Sequence, residues 1–337
     1  MCLLVHTMFP HTERVLPARI TPCRELRLRE VSLLSFKLHR TKNSLILFIT
    51  FFLTVFCVSI SGARTVSDEI GRSVNISEAP QRIVSLAPGI TETLFALGLE
   101  DKIAGVTTFC DWPAAASTKT RIGGFINPSI EKIISLQPDL ILATADGNRK
   151  ETVEQLERLG LPVYVTNPSD TKGVLRSIFN IGIITNREKE AGKLVDKLQK
   201  RLNAISSRVR HKSKPRVFFQ LGIEPVITAG RGTLINEVIE RSGGVNVAGR
   251  DIANYPSYSA EGILGASPEI IIFAPMINDK EFTAVKKYWR KFEQIPAVKN
   301  SNIYPIDANL INRASPRIIE AIEIMALIFH PEIKNFK

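Results

Sequence analysis

Two carboxylates occupy matching places in a repeated unit. Ser129 to Thr144 reads SIEKIISLQPDLILAT, and Ser259 to Ala274 reads SAEGILGASPEIIIFA. A single offset of 130 residues, without a gap, aligns Ser129 with Ser259, Glu131 with Glu261, Ile133 with Ile263, Pro138 with Pro268, Asp139 with Glu269 and Ile141 with Ile271. A carboxylate in the first turn of a helix gains about 0.3–1 kcal/mol from the helix dipole, and that role suffices for each glutamate alone. As a matched pair on two lobes, Glu131 and Glu261 also suit a partner that carries two matched arginines.

Other reactive side chains are few. Past residue 63 the chain keeps one cysteine, Cys110, and two histidines, His211 and His330. One cysteine builds no disulfide framework. His211 lies in a basic tail and His330 stands beside Pro331, so neither falls in a loop at the carboxyl end of a strand, where open α/β sheets bind ligands. There is no G-x-S-x-G elbow, no H-E-x-x-H, no Cys/His spacing for zinc and no P-loop. Gly230-Arg231-Gly232 resembles part of a phosphate loop but lacks the third glycine of G-x-G-x-x-G. The expectation is therefore a binding protein without catalytic residues, metal or cofactor; the rival is an α/β enzyme that uses Cys110.

Charge and hydropathy divide the chain at its start. From Asn43 to Ala63 no residue is charged, and the run LILFITFFLTVFCVSI is preceded by Lys37, Arg40 and Lys42 and followed by Ser61-Gly62-Ala63. That is the n-, h- and c-region pattern of a signal peptide, with cleavage expected near Ala63; a retained membrane anchor is the alternative. Residues 1–63 carry eight Lys or Arg and three Glu, a net of +5, so the remainder of the +11 chain is +6. No basic cluster interleaved with aromatics argues for nucleic acid.

The repeated unit also dictates the elements. Each copy gives a capping serine, an amphipathic helix, a proline that ends it and an uninterrupted apolar run of strand length. Apolar runs that do not alternate suit parallel strands covered on both faces, which makes the fold α/β with two Rossmann-like lobes. Residues 64–80 read as an extended lead-in, and 82–88 as a strand entering a loop and the helix 89–98. The stretch from about Val174 to Val209 is helical with a break near Thr185-Asn186; the apolar stripe Leu194, Leu198, Leu202, Ile205 and Val209 gives a second helix that rises on the order of 35 Å. The expected organisation is 1–63 extension and signal peptide, 64–185 first lobe, 186–212 joining helix and 213–337 second lobe. Strand-end loops then supply a cleft with aromatic and polar walls: Pro88, Phe109, Trp112 and Phe125 from one side, and Tyr255, Tyr258 and the loop Asn309, Leu310, Ile311, Asn312 and Arg313 from the other.

The segments RIVSLAPGITETLFALG, SIEKIISLQPDLIL, FFQLGIEPVITAGRGTLINEVIERSGG and RASPRII, with the long joining helix, resemble the helical-backbone substrate-binding proteins of ABC importers, which carry cobalamin, haem or ferric siderophores. The resemblance covers about residues 80–330, and within the group it is to the periplasmic cobalamin binders. It implies two Rossmann-like lobes on one rigid helix, a corrinoid as the transported ligand, a periplasmic monomer, and Glu131 and Glu261 as the residues that dock on permease arginines. It implies further that Phe109 stands where the cobalamin binders have an aromatic and that 309–313 matches their second-lobe ligand loop. Thr144 and Leu310 stand where tryptophans would be expected, which makes the wall less aromatic. Haem or a ferric siderophore is the alternative ligand, with Arg149, Arg231, Arg250 and Arg313 as the cations that would favour it.

Overall fold

The computed structural model describes residues 62–274 and 279–336. The N-terminal extension and the apolar targeting run lie outside the described residues. The expected lead-in is a hairpin instead: β1 (Ala63–Ser67) and β2 (Ser73–Ser77) pair antiparallel. Its turn is closed by Asp68, whose carboxylate accepts from the backbone of Ile70 and Arg72 and from the Arg72 guanidinium.

Two four-stranded parallel sheets follow. The first comprises β3 (Ile83–Ser85), β4 (Ile103–Val106), β5 (Leu140–Thr144) and β6 (Val163–Thr166), in the order β4-β3-β5-β6. The second comprises β7 (Arg216–Gln220), β8 (Val245–Asn246), β9 (Ile270–Phe273) and β10 (Ile303–Pro305), in the order β8-β7-β9-β10. Counted within each lobe, both orders read 2-1-3-4, so the sequence repeat is a repeat of topology. All five residues of β5 and all four of β9 are buried. Their unbroken apolar composition follows from cover on both faces.

The repeated turns match in detail. Helix α1 (Pro88–Ala96) follows β3; α2 (Ile130–Ser135) precedes β5 and is capped by the Ser129 hydroxyl, which accepts from Lys132 N. Helix α3 (Lys150–Arg158) joins β5 to β6. In the second lobe the Ser259 hydroxyl likewise caps the helix Ala260–Ala266. Gln137 and Ser267, 130 residues apart, both turn into the left-handed region with φ of 46° and 49°, which few non-glycine residues enter. Behind each turn a carboxylate fastens the first strand of its sheet: Asp139 accepts from the backbone of Gln81 and Arg82, and Glu269 from that of Arg216. The Arg82 and Arg216 side chains return the tie by donating to Leu136 O and Ser267 O.

Helices α4 (Thr171–Ile184) and α5 (Glu188–Val209) connect the sheets. The break between them is Asn186, at φ 57°. Gly182 lets them approach, since a Cβ there would lie 2.3 Å from Ala191 Cβ. Over its 22 residues α5 is about 33 Å long. It buries Leu198, Leu202, Ile205 and Val209 in one apolar cluster with Val174, Leu175 and Ile178 of α4 and with Val217, Phe219, Ile239, Ile322 and Met325 of the second lobe. Each such Leu or Ile contributes about 1.5–3 kcal/mol, so the joining helix belongs to a core that reaches from one lobe to the other.

The second lobe adds α6 (Leu234–Arg241), α7 (Ala260–Ala266), α8 (Asp279–Trp289), α9 (Pro296–Lys299), α10 (Ala308–Ile311) and α11 (Ile318–Phe329). Among the described residues no helix is long and apolar enough to cross a membrane.

Candidate ligand cleft and docking face

The first-lobe wall is built from loops at the carboxyl ends of its strands. Pro88 is the first residue of α1, where a missing N–H costs nothing. Asn148 ties three loops together: its amide donates to Leu86 O and Phe125 O, and its Oδ1 accepts from Thr144 N. Arg121 donates to Thr107 O and Cys110 O and so fixes the loop that carries Phe109 and Trp112. Those two rings remain 58% and 49% exposed, in a loop braced from behind. Phe125 instead packs on the lobe's core.

The second-lobe wall is a pair of zipped loops. Leu221 N donates to Ile227 O, Thr228 N to Pro256 O, Gly230 N to Asn254 O and Tyr258 N to Val226 O. Gly230 is required here, because a Cβ would lie 2.1 Å from Ala253 O, and Gly232 adopts φ 86°. The Gly-Arg-Gly signal thus has a packing origin. Tyr255 stays 52% exposed, and burial and then the charge of Asp146 raise the pKa of its hydroxyl. Tyr258 packs against Phe218 and donates to Asp251 Oδ2 at 2.6 Å; burial, and then this bond, push its pKa up to about 12. Arg149, Arg231 and Arg250 are exposed on loops after β5, β7 and β8.

Where the lobes meet, Arg313 is drawn almost wholly out of water, at 8% exposure. Its Nη1 donates to Glu92 Oε1 at 2.8 Å and Asp111 Oδ1 at 2.7 Å, and its Nη2 to Phe109 O at 3.2 Å and Asn309 Oδ1 at 2.5 Å. Ser315 Oγ donates to Glu92 Oε2 at 2.6 Å. Arg317 Nη1 stands 3.7 Å from Glu92 Oε1, and its guanidinium covers the Trp112 ring at 4.1 Å from the centroid. Burial raises the Glu92 pKa, while the bonds from Ser315 and Arg313 and the charges of both arginines hold it down. The contact is close in backbone terms too, since a Cβ on Gly89 would lie 2.7 Å from Ala314 O.

This junction brings Phe109, Trp112, Asn309 and Arg313 together. Leu310 and Ile311 do not join them: as residues of α10 they turn into the second-lobe core, at 4% and 1% exposure, while Asn312 is exposed. Glu92 is the residue that sequence reading missed. Its signal was the polar triplet Thr91-Glu92-Thr93 inside an otherwise apolar helix, all three of which are buried.

Glu131 and Glu261 are exposed in the first turns of α2 and α7, with the same serine cap one turn behind. The Glu261 backbone N–H and the Ser259 hydroxyl hold the Glu261 carboxyl below the usual range. Cys110 is buried at 1% exposure, its Sγ 3.1 Å from the Thr91 and Thr107 hydroxyls, with no histidine among its partners. No group of three or more His, Cys, Asp or Glu among the described residues is placed to hold a metal ion.

The family model described as periplasmic binding protein matches residues 83–310, from the first strand of the first sheet into the Arg313 loop. The chain belongs to this family. A vitamin B12-binding protein of Vibrio vulnificus is 31% identical over 252 residues, 74% of this periplasmic binding protein and 91% of that one. An uncharacterized ABC transporter substrate-binding lipoprotein of Bacillus subtilis, YvrC, is 32% identical over 275 residues, 80% and 86% of the two chains. Among solved structures, the periplasmic vitamin B12 binding protein BtuF of Vibrio cholerae superposes with a TM-score of 0.67 at 28% identity, covering 76% of this chain and 99% of that one. The periplasmic heme-binding protein RhuT of Roseiflexus, in its apo form, does so with a TM-score of 0.65 at 25% identity, covering 74% and 98%.

Proposed function

We propose that this periplasmic binding protein captures a corrinoid, cobalamin, between its two lobes and delivers it to the permease of an ABC importer. The observation that carries the reading is the exposed pair Phe109 and Trp112 opposite the Asn309–Arg313 loop, in a chain whose relatives include vitamin B12-binding proteins. A large flat ligand is held by apolar and aromatic walls with a few fixed polar groups. Phe109, Trp112, Pro88 and Tyr255 supply the walls in this reading, with Asn309 and Asn312 as polar groups; Arg313, Phe125 and Tyr258 brace the loops. The shared core along α5 favours a preformed cleft, which lowers the ordering cost of binding.

The protein acts as an exported monomer, with the apolar run before Ala63 as its targeting segment. It carries no catalytic group in this reading, and Cys110 is a packed core residue. Glu131 and Glu261, exposed on equivalent helices, dock on two arginines of the permease. Replacing both (E131A with E261A) is expected to leave cobalamin binding intact and abolish uptake in cells that depend on the importer. Loss of binding by the purified variant would contradict the docking role.

A further inference from the structure

We propose that Glu92 is a specificity residue: by holding Arg313 in a clamp of carboxylates at the lobe junction, it withholds the guanidinium from ligands that carry carboxylates. The inference rests on the solute-binding reading and names the ligand feature that the cleft rejects. Three carboxylates, Glu92, Asp111 and Glu320, lie within ion-pair distance of the two guanidiniums of Arg313 and Arg317. No positive charge is left over at the junction. Arg313 already serves four acceptors with its two terminal nitrogens, so a ligand carboxylate can take the two-pronged grip of those nitrogens only by displacing one of them. Displacing Glu92 would leave a carboxylate with 2% side-chain exposure without its closest cation, and an unpaired buried charge is strongly unfavourable.

The exposed Arg149, Arg231 and Arg250 do not replace it, because ion pairs in water contribute little. A tetrapyrrole-like ligand whose periphery carries amides meets no penalty at this junction. One with free propionates finds its best cation occupied. Glu92 was selected by no motif, and its position in the second turn of α1, facing Arg313 and Ser315 of the other lobe, assigns the role.

The test compares affinities of the purified protein, its E92Q variant and the E92Q/R313Q double variant for cyanocobalamin, haemin and haemin dimethyl ester, which lacks free carboxylates. E92Q is expected to gain at least about tenfold for haemin, the scale of one hydrogen bond to a charged group, and nothing for the ester. Adding R313Q should remove the gain, a reversal that mere loosening of the fold would not produce. Unchanged haemin affinity in E92Q, an equal gain for the ester, or a gain that survives R313Q would overturn the proposal. So would a wild type that prefers haemin to cyanocobalamin. If E92Q fails to melt cooperatively, D111N takes its place, since Asp111 is the more exposed half of the clamp; a haemin gain there supports the proposal and none overturns it. A wild type that binds neither ligand overturns the solute reading, and this inference with it.

Discussion

At the residue scale the cleft depends on side chains that stay exposed because their loops are braced from behind. Phe109 is the clearest case: Arg121 and Asn148 hold the neighbouring loops, and Arg313 binds the Phe109 carbonyl while the ring is left 58% exposed. Phe109→Ala is therefore expected to lower cobalamin affinity about tenfold, as removal of an aromatic anchor does. Its thermal midpoint should stay close to that of the wild type, a combination that calorimetric titration and a melting curve check together. The residues that sequence reading found and those it misplaced differ for a physical reason. The exposure of Phe109, Trp112 and Tyr255 was legible because these aromatics stand in loops, outside the periodic apolar stripes that pack a helix or strand. Leu310 and Ile311 were misplaced because Asp307 caps a short helix by accepting from Asn309 N, and that single turn rotates both side chains into the core.

At the element scale the repeat carried most of the fold. The serine caps, the stop at Pro138 and Pro268 and the apolar strands were legible because each is a local signal. The β1–β2 hairpin was not, since its turn is closed by the Asp68–Arg72 pair and not by a short Asn-Gly type of loop. The end of α11 makes a testable element of its own. His330 is 2% exposed, with its Nε2 against Gly243, where a Cβ would lie only 2.4 Å away. Burial, helped by Lys212, lowers its pKa below 6.5, against the opposing Glu332 charge and the Gly243 and Ser242 backbone. The native state thus holds His330 neutral while the unfolded chain takes up a proton below about pH 6.5, so stability is present above that value and lost as pH falls through it. The urea midpoint is expected to drop between pH 7 and pH 5, and His330→Gln should flatten that decline. An unchanged slope in the variant would contradict the assignment.

For the whole molecule the decisive feature is that α4 and α5 share one apolar cluster with the second-lobe sheet and α11. Opening the cleft widely would expose that cluster, at about 25 cal/mol per Å² of apolar surface. Glu237 adds a polar tie on the same side, its carboxylate accepting from Thr171 N and Oγ1 at the start of α4. Ligand-free and ligand-bound crystal structures should accordingly differ by less than about 1 Å in the relative Cα positions of the two lobes, as in pre-organised complexes. A hinge rotation that carries one lobe several ångströms past the other would contradict the rigid-spine account.

The most direct measurement is calorimetric titration of the purified protein with cyanocobalamin, with haemin and with a ferric siderophore. The account predicts tight one-to-one binding of cyanocobalamin and much weaker binding of the other two. Preference for haemin or the iron chelate would contradict the corrinoid assignment while leaving the family in place, and binding of none of the three would contradict the account of the cleft itself.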